Sequence, residues 1–474
     1  MNLIAPSQDG WMVGFPPPAD KRITPDNSHR PECLGWRVQN PGRLFPAARI
    51  SRGEEPIVPL PKGEALDVGE LSVTDDHGRT IAMTEIWQQT GVDAMLVMHR
   101  GRVVFERYLG DMGPTRQHAM FSCTKSVIGL LMEGLIHEQK IDPESPASAY
   151  LPELQASPAG SATVRQLLDM RANFKFSDQP KIDGQVQVDY IRGLGFLPRP
   201  QGDQGPRGAY ELLINARPMG DHGGPFRYDN GSTDTLGWIL RRLTGQSLDV
   251  LISDSIWARL GCEQDASIMV DATGTEWAAG GMAASLRDFA RLGEMLRCHG
   301  QFNGQQVLTP AVFESILQGG DRAAFAAGAG VPQGGSYRSQ WWFNHDHLGS
   351  YACRGQYGQR IWIAPQAEVM IAQFAADPLG QLDTLLGPAP LEELLDAAVH
   401  EPQARLHPQD GLADDGEPEV ARLDQPHLGH RPLHRRRQQR QSRRQMPRLG
   451  RDHESRTGDA ETGNQSDRHG DRRR

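Results

Sequence analysis

The chain has 474 residues, 38% of them hydrophobic and 23% charged, with a formal net charge of -9. That is chain enough for a large core and for roughly two or three structural units. The acidic balance gives no reason to expect nucleic acid as a partner. No apolar run reaches the ~18 residues a membrane span needs. The five cysteines, Cys33, Cys123, Cys262, Cys298 and Cys353, are scattered and odd in number, without metal-site spacing and against a disulfide framework.

From the N-terminus, "MNLIAPSQDGWMVGFPPPADKR" lacks the charged head and continuous apolar stretch of a signal peptide, so a cytoplasmic protein is expected. Residues 1–75, rich in Pro and Gly, read as an arm that wraps a core or as a partly ordered leader. Ala94 to Gly110 reads as two strands with a tight turn at Arg100-Gly101. In "FSCTKSVIGLLMEGLIHEQKID", Phe121 to Asp142, the residues Val127, Ile128, Leu130, Leu131, Leu135 and Ile136 cover most of a helix, which should be buried nearly all round. Ser161 to Asn173 is a short amphipathic helix. Phe174 to Gly224 carries many Gly, Pro and Asp residues and should be mostly loop; loops of this length inside a domain are usually lids or binding loops. Asn230 to Leu248 is a helix with Ser232 as cap, Leu236, Ile239, Leu240 and Leu243 as its apolar stripe and Gly245 as its stop. Ser285 to Gly300 is another, with Ser285 and Asp288 at capping-box spacing. "QRIWIAP" and "EVMIAQFA" return two strands to the sheet, and Leu382 to His400 gives a closing helix. Beyond residue 401 the Arg-rich tail has too few apolar residues to offset ordering and should be disordered. It looks as much like a shifted-frame extension as a selected segment, and an arm for nucleic acid is the weaker alternative.

The chemistry starts with Ser122 and Lys125. A serine hydroxyl attacks poorly until a base takes its proton. A lysine one helical turn later faces the same way, and burial lowers its pKa toward neutrality. The N–H of Ser122, at the helix start, is free to face a developing oxyanion. Tyr228, just before a helix in "FRYDNGSTD", is a candidate base if a nearby ammonium holds it partly as phenolate. In "YACRGQYGQRIWIAP", Gly355 and Gly358 let a strand edge approach a ligand, and the N–H of Gln356 is the second oxyanion candidate. Each signal has a plainer reading: a snorkelling lysine, a tyrosine packed on a helix start, an ordinary glycine-containing hairpin. A metal pair at His345 and His347 lacks a third ligand with suggestive spacing, so no metal or other cofactor is expected. A Gly-x-Ser-x-Gly elbow is absent.

Taken together, these motifs resemble the serine hydrolases related to class C β-lactamases and penicillin-binding proteins, closest to the 6-aminohexanoate-dimer hydrolases. The resemblance runs through "SCTKS" at 122–126, "TVRQLLDM" at 163–170, "YDNGSTDTLGWILRRLTG" at 228–245, "GGMAASLRDFARLG" at 280–293 and "GQYGQRIWIAP" at 355–365, with "LGWRVQNPGRLFPAARISR" at 34–52 like that group's N-terminal arm. It implies an α/β (α+β) fold of the β-lactamase/transpeptidase type: an antiparallel sheet flanked by helices, at 76–139 and 272–400, with a mainly helical inserted domain at 140–271. It implies Ser122 as nucleophile forming an acyl-enzyme, Lys125 as its activator and Tyr228 as proton shuttle. The expected substrate is a small linear amide or a carboxylic ester; Asn230, Gly355, Tyr357, Gly358, Asp183 and Asp189 are candidates to touch it, the acids by attracting an ammonium. Where penicillin-recognising relatives carry Lys-Thr-Gly, this chain reads Cys353, Arg354 and Gly355, which argues against a true β-lactamase or D,D-peptidase. Ala279 stands where dimer hydrolases often place Asn. Carboxylesterase activity is the alternative, and a non-catalytic binding protein that kept the fold is the alternative of another class. The sequence leaves room for a homodimer.

Overall fold

Val92–His99, Gln359–Ala364 and Val369–Ala375 bury nearly every residue, on both faces. Strands of that kind need cover above and below. The structure, a computed structural model, describes residues 10–380 other than 75–77, 178–180 and 183–185. The expected closing helix at Leu382–His400 and the tail from 401 lie outside the described residues, which all fall within one compact unit, Met1–Pro408.

In chain order the elements that build the site are β1 (Ala47–Ile50), β2 (Val92–His99), β3 (Arg102–Tyr108), β4 (His118–Ala119), α1 (Cys123–His137), α2 (Val188–Leu194), α3 (Gly208–Ile214), α4 (Asn230–Thr244), β5 (Ala266–Met269), β6 (Met282–Ala284), α5 (Leu286–Arg297), β7 (Ser336–Arg338), β8 (Trp341–Phe343), β9 (Tyr351–Gly355), β10 (Gln359–Ala364) and β11 (Val369–Ala375). A seven-stranded sheet runs β7-β8-β9-β10-β11-β2-β3, antiparallel throughout. A four-stranded antiparallel sheet runs β1-β5-β6-β4. On one face of the large sheet Leu96, Met98, Ile361 and Met370 join the core under α1 and α5. On the other, Met95, Val97, Trp362 and Ile371 pack with Ile86 and Trp87 of the Met83–Thr90 helix. No helix among the described residues is long and apolar enough to cross a membrane.

Local chemistry explains the boundaries. The β2–β3 turn places Arg100 at φ 51 and Gly101 at φ 74, as a two-residue hairpin loop requires. The Ser161–Asn173 helix is shorter than expected, Val164–Leu168, between a Thr163–Gln166 capping box and Met170 at φ 53. Asp229, not Ser232, caps α4: its carboxylate accepts the N–H of Gly231, and the Ser232 hydroxyl, already inside the helix, donates to it at 2.9 Å. Leu243 is 39% exposed because the last turn of α4 projects beyond the core; Gly245, at φ 70, ends it. The 174–224 stretch holds more structure than its composition suggests, since Tyr190, Leu194, Leu212 and Leu213 anchor α2 and α3. His345 and His347 follow the end of β8 rather than lying within a strand, and His345, at φ 57, sits 2.7 Å from the Ser336 hydroxyl.

Candidate active site

Ser122 is the residue before α1, presented by a tight turn in which Phe121 adopts φ 44. A bulky residue rarely sits there. The turn is held by the Thr124 hydroxyl, which donates to the Phe121 carbonyl at 2.7 Å, and by edge contact of the Phe121 ring with Tyr357. One turn on, Lys125 is 1% exposed.

Three oxygens surround the Lys125 nitrogen: Ser122 Oγ at 3.0 Å, Asn230 Oδ1 at 2.7 Å and the Ala279 carbonyl at 2.6 Å. Burial pulls its pKa down to about 7, against the opposing pull of Asp234 and Asp229. A neutral amine has two N–H groups and one lone pair. The carbonyls of Asn230 and Ala279 can only accept, so they take both N–H groups. The lone pair is then left for Ser122, the one neighbour with a proton to give. The same three contacts serve the ammonium, so a proton can arrive from Ser122 without side-chain movement.

Tyr228 is a partly buried neighbour of this pair. Its phenol hydrogen-bonds the Ser122 side chain, and burial drives its pKa above the ordinary value. The Lys125 nitrogen lies over the ring face, 5.0 Å from the centroid, beside the π-system rather than charge-paired with the oxygen. Burial thus favours the protonated phenol over the partial phenolate expected of Tyr228. Trp342, at 5.6 Å, and Tyr337, edge-on at 6.3 Å, fix the ring.

Behind the lysine lies a network the sequence did not reveal. Asp234, buried on α4, accepts from the Tyr190 hydroxyl at 2.5 Å and from the Ala279 N–H at 3.1 Å. The Tyr190 oxygen in turn accepts from the Trp277 indole at 2.7 Å. The Ala279 residue thus links Asp234 to Lys125 through its N–H and its carbonyl. Burial raises the pKa of Asp234, while Lys125 acts in the opposite sense. The one available signal was an acid four residues after Asn230, among the buried positions of α4.

The remaining candidates divide. Asn230 points its side-chain oxygen at Lys125 and joins the lysine's shell. At Gly355 a Cβ would lie 2.3 Å from the Met120 carbonyl, so β9 ends against the backbone that leads into Ser122. Gln356 follows immediately, its carbonyl accepting from Gln359 Nε2 at 3.0 Å, with Tyr357 at φ 67 and Gly358 at φ 95 completing the turn. Arg354 lies over Trp342 and Trp362, at 5.5 and 5.8 Å, and the Cys353 sulfur accepts the Ile361 N–H at 3.4 Å. Asp189 pairs with Arg192 at 3.5 Å on α2, while Asp183 lies outside the described residues. Beside the turn opens a recess with an empty volume of about 840 Å³, part of it open to solvent, walled chiefly by Phe45, Phe121, Phe196, Trp277 and Tyr357. Among the described residues no group of three or more His, Cys, Asp or Glu is arranged to hold a metal ion.

The beta-lactamase family profile matches residues 82–383. The chain belongs to the beta-lactamase family. It is 33% identical over 348 residues to a 6-aminohexanoate-dimer hydrolase of Paenarthrobacter ureafaciens, covering 72% of this chain and 85% of that one. A Bacillus anthracis structure assigned as a 6-aminohexanoate-dimer hydrolase superposes with a TM-score of 0.74 at 29% identity, over 82% of this chain and 99% of that chain. A family VIII carboxylesterase shares the fold, with a TM-score of 0.50 at 17% identity over 66% of this chain and 93% of that one. The protein is thus a hydrolase of the beta-lactamase family with the β-lactamase/transpeptidase-like fold, antiparallel sheets flanked by helices.

Proposed function

We propose that the protein is a serine hydrolase that forms an acyl-enzyme on Ser122 and cleaves small linear amides, with carboxylic esters as easier substrates of the same machinery. The observation that carries the reading is the three-oxygen shell of Lys125, which leaves the amine lone pair to the Ser122 hydroxyl. The amine takes the hydroxyl proton as Oγ attacks the carbonyl carbon. The N–H groups of Ser122 and Gln356 receive the oxyanion, a term worth roughly 10²–10³ in rate per donor. Tyr228, hydrogen-bonded to Ser122, passes a proton to the leaving nitrogen or oxygen as its bond to carbon breaks, and Lys125 resupplies it. Water then attacks the ester on Oγ, its proton following the same route in reverse, and the acid leaves. Similarity to a 6-aminohexanoate-dimer hydrolase over most of both chains favours the amide.

The test is intact-mass spectrometry after incubation with a fluorophosphonate, together with turnover of p-nitrophenyl acetate. A single adduct on Ser122, with adduct and turnover both lost in Ser122→Ala, is expected. A Ser122→Ala variant that still turns over the ester at the wild-type rate refutes the mechanism. Matched ester and amide substrates with one acyl group then rank the two reactions.

A further inference from the structure

The N-terminal arm reaches the recess beside Ser122. Arg37 lies on the short Leu34–Gln39 helix, whose Leu34 and Val38 pack with Ala119 and Phe121 of the strand and turn that lead to the serine. Its guanidinium stands over two rings of the recess, Phe121 at 5.6 Å and Tyr357 at 5.9 Å. No acidic side chain among the described residues pairs with it; one guanidinium nitrogen makes a long contact, 3.5 Å, to the Ser28 carbonyl. The other titratable groups on the wall are the His29 imidazole and the Tyr357 phenol, and none of the described lining residues is a carboxylic acid. The remaining walls are mostly apolar and aromatic: Phe45, Phe196, Trp277 and Met269 among them. Phe121 precedes the nucleophile, and Gln356 carries a proposed oxyanion N–H. Both line the recess, which therefore adjoins the nucleophile through its sequence neighbour, although Ser122 is not itself among the walls.

We infer that Arg37 is a specificity-determining residue: it anchors the carboxylate at the far end of an apolar substrate chain that fills this recess. This rests on the hydrolase reading in taking the recess as the place where substrate extends from Ser122. A half-buried guanidinium on aromatic faces keeps its donors in one plane and is weakly hydrated, which suits a carboxylate held by paired hydrogen bonds. An ammonium-terminated chain meets only positive or neutral groups there. The resulting preference is the opposite of the one expected from Asp183 and Asp189.

Binding without turnover tests this. Isothermal titration of the full-length protein with hexanoate and with hexylammonium, six-carbon chains of opposite charge, compares the two termini directly. Hexanoate is expected to bind at least about tenfold more tightly, the step a charge-assisted hydrogen-bond pair supplies. In Arg37→Gln that preference should vanish, and in Arg37→Lys part of it should return. Equal affinity for the two ligands, no hexanoate binding, or unchanged hexanoate affinity in Arg37→Gln overturns the assignment. Should Arg37→Gln fail to fold, the wild-type comparison and Arg37→Lys still decide. Failure of the hydrolase chemistry reads differently: p-nitrophenyl acetate is not turned over although hexanoate binds.

Discussion

At the scale of single residues, the buried oxygen shell around Lys125 should set the pH response of the proposed hydrolysis. Below its pKa of about 7 the amine holds a proton and cannot take that of Ser122; above it the amine is neutral. The kcat/KM for p-nitrophenyl acetate should therefore rise with pH along one ionisation near 7, and a profile flat from pH 6 to 9 would contradict it. Asp234 favours the charged lysine. Asp234→Asn should shift that limb to lower pH, where a merely structural role would reduce activity without moving it. Tyr228→Phe should cut kcat by roughly 10²–10⁴, the usual size of a general acid–base term, with its circular dichroism spectrum kept. Of these groups Ser122, Lys125 and Tyr228 were legible because an amine at the head of an apolar helix is costly unless it has work to do. Asp234 and Arg37 were not: a lone acid in a helix, or an arginine in a Pro-rich arm, reads as a solvated charge until the fold shows what surrounds it.

At the scale of elements, the site depends on backbones that meet without side chains between them. Gly355 ends β9 where an added Cβ would lie 2.3 Å from the Met120 carbonyl. Gly355→Ala should push the Gln356 turn away from Ser122 and lower kcat/KM by at least about tenfold, since misplacing one oxyanion donor costs that or more. A denaturant titration alongside separates this from unfolding. Of the two caps read from the sequence, Ser285 holds, its side chain accepting the Asp288 N–H, while Thr163, which caps the Val164–Leu168 helix, was not singled out. The exception is instructive. At α4 an aspartate one residue before the helix takes the cap, and Ser232 becomes its donor. The helices α2 and α3 were missed because each is only seven residues long, too short for a 3.6-residue period to stand out among Gly and Pro.

At the scale of the molecule, the β2–β3 hairpin and the β10–β11 pair were visible because their partners adjoin in sequence. The pairing of β1 with β5, Ala47 opposite Met269, was not: four residues of mixed polarity carry no strand signal, and the partner is far away in the chain. That pairing ties the arm to the body and sets Arg37 beside the recess. Val38, fully buried, packs in the same cluster as Ala119 and Phe121. Val38→Ala should cost about 2 kcal/mol in a denaturant titration, from two lost methyl groups and the space they leave. It should also weaken hexanoate binding. A loosely attached arm would show neither.

Of the three oxygens around the lysine nitrogen, one stands just ahead of the lysine's own helix, at residue 122, and two come from remote stretches of chain, the start of another helix at 230 and the backbone at 279. Until all of them close, the amine is an ordinary solvated cation with no appetite for a proton. On the proposed mechanism the chain should therefore be unable to attack neighbouring amides while it is still emerging and unfinished, and ester turnover should appear during refolding only when these parts have come together.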